Sequence, residues 1–462
     1  MKDKITRRNA IGKAVSATVS GMVALSLPRL VSGEEPTGGT GRPNIIFILA
    51  DDLGYGDLGC YGQKTIKTPN IDKLAAEGMR FTQCYAGSTV CAPSRCCLMT
   101  GLHTGHARVR GNARYPLLPE DVTVAELLKS AGYATGIVGK WGLGEPDTTG
   151  VPNRQGFDYW FGYLNQRNAH NYYPPYLWRN EEKYELAGNQ DGKKSEYSHD
   201  LFTEEALGYI KRHNDEPFFL YLAYTIPHTN NELGRETGNG MEVPTDEPYS
   251  NENWPQPQKN HAAMITRMDR DIGKLMDLLK ESGIDRNTLV FFSSDNGPHR
   301  EGGGNPEFFK SGGPLRGIKR DLYEGGIRVP GIVRWPDRVK PGTVSDQVWA
   351  FWDFLPTAAE IAGVGPPEGI DGISILPALL GESPKGREYL YWEFHERGFH
   401  QAVRMGDWKG VRDGKDRPVE LYDLRVDIGE KNNVAYEHPG VMVKIESLLD
   451  STRTDSEQWP VR

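Results

Sequence analysis

Two oxygen-rich pairs stand far apart in the 462-residue chain, Asp51-Asp52 and Asp295-Asn296. Together they offer four oxygen-bearing side chains, the donors that hard divalent cations such as calcium take at about 2.3–2.6 Å. Adjacent carboxylates repel one another unless a cation lies between them. An isolated Asp-Asp is more often a turn or a helix cap, but two oxygen-rich pairs at two strand ends turn the reading toward a metal. A third segment runs Cys91-Ala92-Pro93-Ser94-Arg95-Cys96-Cys97-Leu98-Met99-Thr100-Gly101. Pro93 suits a first helical turn and Gly101 suits a stop. Cys91 therefore falls at a helix N-terminus, where the dipole favours negative charge and is expected to acidify a plain thiol. No Cys-His protease signature accompanies it. Cys91, Cys96 and Cys97 are three of only five cysteines. Their crowding suits neither a disulfide framework nor a zinc site, which leaves Cys91 as a residue kept for its chemistry.

The elements that must position these groups alternate. Residues 44–50 (NIIFILA) are a continuous apolar run, the mark of a buried parallel strand, and end at Asp51-Asp52. Thr68-Pro69 opens a helix with Thr68 as its cap, and Gly78 closes it. Thr123 and Glu126 form a capping box for a helix ending near Gly132. Residues 133–138 predict a strand that runs out at Lys140, residues 218–224 one that ends at Pro227-His228, and residues 289–292 one that enters Ser294, Asp295 and Asn296. Ile265, Met268, Ile272, Leu275, Met276 and Leu279 recur at helical spacing up to Gly283. Alternating strands and helices imply an α/β fold with a large, mostly parallel sheet between helices. Ligands bind such sheets beyond the carboxyl ends of the strands, where Asp51, Asp52, Lys140, His228, Asp295 and Asn296 all fall. Residues 145–184 and 230–258 predict long loops. From about residue 370 short strands with turns imply a small C-terminal α+β subdomain with an antiparallel sheet. The expected organisation is a catalytic domain over 43–368 and this subdomain over 369–462.

Composition bounds the class. With 62 acidic against 54 basic residues the net charge is −8, and the excess is larger once the basic first 33 residues are set aside. An acidic body argues against a nucleic-acid binder, and a hydrophobic content of 37% against a multi-span membrane protein. Residues 1–33 predict an export signal. Lys2, Lys4 and the Arg7-Arg8 pair precede an uncharged stretch over 14–28, too short to span a membrane and right for a signal core. The paired arginines resemble a twin-arginine signal. A linker over 34–42 follows. The expected location is periplasmic or secreted, without stable membrane insertion after cleavage.

The run from Cys91 to Gly101 resembles the signature of the type I, formylglycine-dependent sulfatases, Cys-x-Pro-Ser-Arg followed by Leu-x-Thr-Gly. The chain is similar to that family also at Asp51-Asp52-Leu53-Gly54, Gly139-Lys140-Trp141, Ser294-Asp295-Asn296-Gly297, Gly317-Ile318-Lys319 and Glu324-Gly325-Gly326. The resemblance covers roughly residues 43–450 and looks bacterial and arylsulfatase-like. It implies an alkaline-phosphatase-like fold. It implies that a formylglycine-generating enzyme oxidises Cys91, and that Asp51, Asp52, Asp295, Asn296 and the modified Cys91 bind one calcium ion. In the implied reaction a hydroxyl of the hydrated aldehyde attacks sulfur and the alcohol leaves. The second hydroxyl then loses its proton and expels sulfate. The resemblance gives Arg95 and Lys140 the stabilisation of that hydrate, and Lys319 and His228 the sulfate oxygens, one of them protonating the departing alcohol. A titratable imidazole suits acid work near neutral pH.

One position departs from the family pattern. Many members carry a His two residues after the Lys of Gly-Lys-Trp, and here that residue is Gly142. The base of the last step is then open among His170, His299, Lys140 and water. His170 and His299 are the candidate substrate-contacting histidines. Trp141, Arg154, Trp178, His395, Arg397 and His400 are the candidates for recognising the leaving group. The expected activity is hydrolysis of a sulfate ester on a small molecule or, given the export signal and aromatic loops, a saccharide. The alternatives are a phosphodiester or phosphonate monoester hydrolase of the same superfamily and a non-catalytic, calcium-dependent binder of sulfated sugars.

Overall fold

A computed structural model describes residues 41–461. The expected signal over 1–33 and most of the linker over 34–42 lie outside them. The apolar run becomes strand β1 (Asn44–Ala50), buried at every residue. Its side chains alternate between two cores. Ile45, Phe47 and Leu49 enter one hydrophobic cluster, and Ile46, Ile48 and Ala50 enter the other. Cover on both faces is why the strand is apolar without alternation.

In chain order the other strands are β2 (Met79–Tyr85), β3 (Ala134–Lys140), β4 (Tyr159–Tyr163), β5 (Tyr176–Arg179), β6 (Glu182–Glu185), β7 (Phe218–Ala223), β8 (Thr288–Ser294), β9 (Arg328–Arg334), β10 (Thr343–Ser345), β11 (Trp349–Ala350), β12 (Leu390–Phe394), β13 (His400–Met405), β14 (Trp408–Arg412) and β15 (Glu420–Asp423). The first eleven form one mixed sheet in the order β10-β2-β9-β8-β1-β7-β3-β4-β5-β6, with β11 paired to β2. Its centre, β8-β1-β7-β3-β4, is parallel throughout. Strand β9 runs antiparallel to both its neighbours. Strands β12 to β15 form a separate antiparallel sheet in chain order. This is the expected α/β architecture, a large mixed sheet beside a small antiparallel one.

Local expectations meet mixed outcomes. The Thr123–Glu126 capping box forms, with Glu126 N donating to Thr123 Oγ1 at 3.2 Å and Thr123 N to Glu126 Oε2 at 2.9 Å. The Pro69–Ala76 helix has no side-chain cap from Thr68. Thr68 Oγ1 accepts from Gly59 N instead, and Asp269 of the Gln256–Glu281 helix takes the N–H groups of Asn70 and Ile71 at 2.9 and 2.7 Å. A tertiary partner has replaced the local one.

The loop expected over 145–184 contains β4 and the β5–β6 hairpin, and the loop expected over 230–258 contains the helix Asn231–Thr237. Strand β4 is hard to read because Gly162 interrupts it. A Cβ there would lie 1.8 Å from Gly139 O, so the glycine marks the close approach of β3 and β4. Among the described residues no helix is long and apolar enough to cross a membrane.

Candidate active site

Strands β1, β3, β7 and β8 are mutually parallel, so their carboxyl ends open on one side of the sheet. Asp51 and Asp52 leave β1, Lys140 ends β3, His228 follows β7, and Asp295 and Asn296 leave β8. The Cys91–Thr100 helix, buried at every residue, brings Cys91 and Arg95 to the same place on its first turns. Ala92 N donates to Asn112 Oδ1 at 3.0 Å, which satisfies one of the helix's free N–H groups. Lys319 arrives on a loop pinned on both sides of the site. Lys319 N donates to Pro298 O at 2.9 Å and Arg320 N to Thr89 O at 3.1 Å.

These side chains touch. Arg95 Nη2 donates to Asp295 Oδ2 at 2.8 Å and to Asp51 Oδ2 at 3.3 Å, and its Nη1 donates to Lys140 O at 2.6 Å. Lys140 Nζ is 2.6 Å from Asp51 Oδ2, and Lys319 Nζ is 2.8 Å from Asp52 Oδ2. Cys91 Sγ lies 3.4 Å from Asp51 Oδ1. Asn296 Nδ2 donates to Asp52 Oδ1 at 2.7 Å, and Asp52 N donates to Asp295 Oδ1 at 3.1 Å. Asp52 holds a left-handed φ of 65°, uncommon for a non-glycine residue and frequent at functional sites. Three carboxylates thus face three cations, all buried.

Electrostatics bears on two expectations. Burial, then the charges of Asp295 and Asp51, push the Cys91 thiol well above its usual range. The helix N-terminus does not acidify it, because burial first, and then the two carboxylates, outweigh a partial dipole charge. Burial, then Lys319, drive His228 well below the usual imidazole range. Its Nδ1 is 2.6 Å from the Thr229 carbonyl, which can only accept, so the neutral ring carries its proton on Nδ1 and turns a bare Nε2 toward Asp52 Oδ2 at 3.5 Å. His228, the expected acid, is therefore a neutral imidazole with its one proton on Nδ1. Burial raises Asp51, but the charges of Lys140, Arg95 and Lys319 reverse this and hold it far below the carboxylate range. Burial and the neighbouring Asp51 push Asp295 up to about 6 against the pull of Arg95. Burial would lower Lys319, and Asp52 reverses this and holds it above its usual value.

The arrangement fits a hard cation. Asp51, Asp52, Cys91 and His228 each offer a ligand atom, all within 4.8 Å of one another. Asn296 Oδ1 is buried with no hydrogen-bond partner, an acceptor aimed at something other than protein. Asp295 joins the same cluster: like those of Asp51 and Asp52, both of its oxygens meet protein donors, here Asp52 N and Arg95.

The other expected residues divide. His170 stacks on His228 with ring centroids 5.0 Å apart, its Nδ1 3.0 Å from Glu232 Oε2. His299 lies 5.7 Å from His228 on another side. Its Nδ1 accepts from Glu301 N, so its buried Nε2–H points, unpartnered, toward Asp52 Oδ2 at 3.9 Å. At Gly142, φ is +83° and a Cβ would fall 2.1 Å from Gln166 Nε2, so the Gln166 amide fills the space a side chain there would need. Trp141 is not a ligand contact: it is fully buried, and its indole N–H donates to Gly150 O at 2.7 Å. Arg154 pairs with Glu181, Trp178 lies in β5 and His395 meets Glu393, whereas Arg397 and His400 share a cleft with Lys319. Asn112, Gln166 and Glu232 carried no sequence signal, since each is an ordinary polar residue in a loop or first helical turn.

Fold and cluster together define an alkaline-phosphatase-like enzyme. The sulfatase family profile matches residues 43–364, and that of the N-sulphoglucosamine sulphohydrolase C-terminal region matches residues 318–455. The chain belongs to the sulfatase family and is a sulfatase, a hydrolase of sulfate esters. It is 33% identical to the N-acetylgalactosamine-6-O-sulfatase of Bacteroides thetaiotaomicron, covering 89% of this chain and 93% of the relative. It is also 33% identical to the N-acetylgalactosamine-6-sulfatase of Homo sapiens, covering 83% and 76%. Among solved structures, Ps i-CgsB in complex with k-i-k-neocarrahexaose superposes with a TM-score of 0.79 at 29% identity, covering 91% of this chain and 95% of that one.

Proposed function

We propose that this sulfatase removes sulfate from a sulfated saccharide, using a formylglycine made from Cys91 by a formylglycine-generating enzyme and a calcium ion held by Asp51, Asp52, Asp295 and Asn296 with the modified residue 91. The observation that carries this reading is the contact of Cys91 with Asp51 inside a cluster of buried carboxylates and cations. Saccharide as substrate is supported by two relatives named for N-acetylgalactosamine 6-sulfate and a structural neighbour that holds a carrageenan-type hexaose. When present, the two groups would supply a nucleophilic hydrated aldehyde and a Lewis acid for the sulfate oxygens.

The chain's own residues do the rest. Lys319 and Lys140 bring positive charge to the place where a sulfate's oxygens must sit, and burial makes that charge count for more than it would in water. Arg95 fixes Asp51 relative to Asp295 and pins the end of β3 through Lys140 O. His228 is oriented through Thr229 O, which leaves Nε2 directed at the reacting centre, with His170 and His299 flanking it. Export to the periplasm or beyond, through the segment 1–33, belongs to the same reading and is supported by its paired arginines and short apolar core.

The test has two parts. Mass analysis of the peptide spanning Cys91, from protein made with a maturation enzyme, is expected to show the loss that accompanies conversion of a CH2SH group to an aldehyde. Matured protein is then expected to cleave an aryl sulfate and N-acetylgalactosamine 6-sulfate, and to favour the aryl sulfate over an aryl phosphodiester. Cys91→Ser expressed in the same host is expected to lose this activity. Full turnover by that variant would overturn the assignment of residue 91.

A further inference from the structure

A cleft of about 650 Å3 opens on Lys319, between segment 306–321 and the turn from β12 to β13. Lys319 belongs at once to this cleft and to the reacting centre, because its ammonium group is 2.8 Å from Asp52. A sulfate ester bound at that centre with its alcohol directed past Lys319 would place the alcohol in the cleft. The lining is polar and charged, so the recognition on offer is hydrogen bonding and ion pairing.

The cations of the cleft are not equivalent. Arg300 is paired with Glu307, Arg320 with Glu301 and Glu396, and His400 Nδ1 lies 2.8 Å from Asp413 Oδ1. Lys310 and Arg397 come from two different segments of the lining, and neither has a carboxylate within ion-pairing distance among the described residues. Both side chains are exposed. In a chain with 62 acidic and 54 basic residues, two unpartnered cations in one cleft leading to the reacting centre are a place for an anion. A guanidinium presents a planar fork that matches a carboxylate or a sulfate, and a lysine adds a mobile point charge.

We propose that this cleft binds the sugar next to the one carrying the scissile sulfate, and that this neighbour bears an anionic group held by Arg397 and Lys310. The inference rests on the saccharide reading above. It makes the enzyme selective for polyanionic chains, with Arg397 and Lys310 as specificity residues outside the reacting cluster.

The experiment compares three disaccharides built on N-acetylgalactosamine 6-sulfate, whose neighbour is glucuronate, a sulfated galactose or plain galactose. The matured enzyme is expected to show a kcat/KM ratio of about tenfold to hundredfold in favour of an anionic neighbour, carried by KM and weakened by salt. The glucuronate and sulfate arms tell the two anions apart. In Arg397→Ala the ratio is expected to fall toward one, and further in the double variant with Lys310→Ala, while Arg397→Lys keeps part of it. A wild-type ratio of one, or a ratio unchanged in the double variant, would overturn the cleft assignment alone. Cleavage of an aryl sulfate with none of the three disaccharides accepted would overturn the saccharide reading and the inference with it.

Discussion

Two of the buried ionic clusters among the described residues are of similar make-up and differ in what their atoms point at. One is the site, where Asp51, Asp52 and Asp295 face Arg95, Lys140 and Lys319. The other ties the two sheets together. There Glu324 accepts from Tyr85 Oη of β2 at 2.6 Å, from Arg328 of β9 at 3.1 Å and from Lys409 of β14 at 2.8 Å, and Glu324 N donates to Glu430 Oε2 at 2.7 Å. Both oxygens of Glu324 end on protein donors. In the site, by contrast, Asn296 Oδ1 and His299 Nε2 have no partner. A buried polar atom left unsatisfied costs about 1–3 kcal/mol. Apart from Glu430 Oε1, the sheet junction is built as a saturated network. The site keeps groups in reserve for what binds there.

That contrast is open to test from its largest consequence down. Glu324→Gln leaves Arg328 without its buried counter-charge and Lys409 with only Glu430 at 3.4 Å, and breaking such a pair costs about 3–5 kcal/mol. Chemical denaturation is expected to show that loss, while the folded fraction keeps kcat near wild type. A kcat that falls as steeply as stability would mean that the junction is part of the catalytic apparatus. Lys319→Ala is expected to do the reverse. Its loss of preorganised charge lowers kcat/KM by about 10²–10³-fold, the scale for removing one such donor, with a smaller change in unfolding midpoint than Glu324→Gln gives. Calcium at a hundred times its Kd is expected to stabilise the matured wild-type protein by about 2.7 kcal/mol. Asp52→Asn should lose that increment in thermal unfolding and Glu324→Gln should keep it. A calcium response that survives Asp52→Asn would remove that residue from the ligand set.

The same contrast explains what could be read in the sequence. The runs that became β1, β7 and β8 are continuous and apolar, because parallel strands covered on both faces have no polar side to show. Their ends therefore placed Asp51, Asp52, Asp295 and Asn296 before any coordinates. Strands β2 and β9 escaped that reading because MRFTQCY and RVPGIVR carry Arg, Thr, Gln and Pro among their apolar residues, and β4 escaped it because Gly162 serves backbone approach. The states of Cys91 and His228 are not legible locally for one reason: a helix N-terminus and a loop imidazole are outweighed by burial under the assembled fold and then by charges from distant segments. The junction was invisible altogether, since Lys409 reaches Glu324 across 85 positions.

The smallest test concerns the junction's own exception. Glu430 Oε1 makes no hydrogen bond, although Lys409 Nζ is 3.4 Å away. Burial raises its carboxyl, Lys409 pulls it back and Glu324 pushes it up again, leaving it near 7. The same surroundings act oppositely on Glu324: burial raises it, but Lys409 and Arg328 bring it down to about 2. Above its unfolded value of 4.5, Glu430 holds its proton more tightly in the folded chain than in the unfolded one. Its contribution to stability is then fully present at acid pH and is lost as pH rises from 4.5 through 7, with a slope of at most about 1.4 kcal/mol per pH unit. Glu430→Gln mimics the protonated carboxyl and is expected to flatten that part of the profile, gaining on wild type as pH approaches 7. Denaturation midpoints across pH 5–7.5 measure it. A variant that tracks wild type over the whole range would mean that Glu430 is ionised in the fold and that the junction holds two carboxylates as the site holds three.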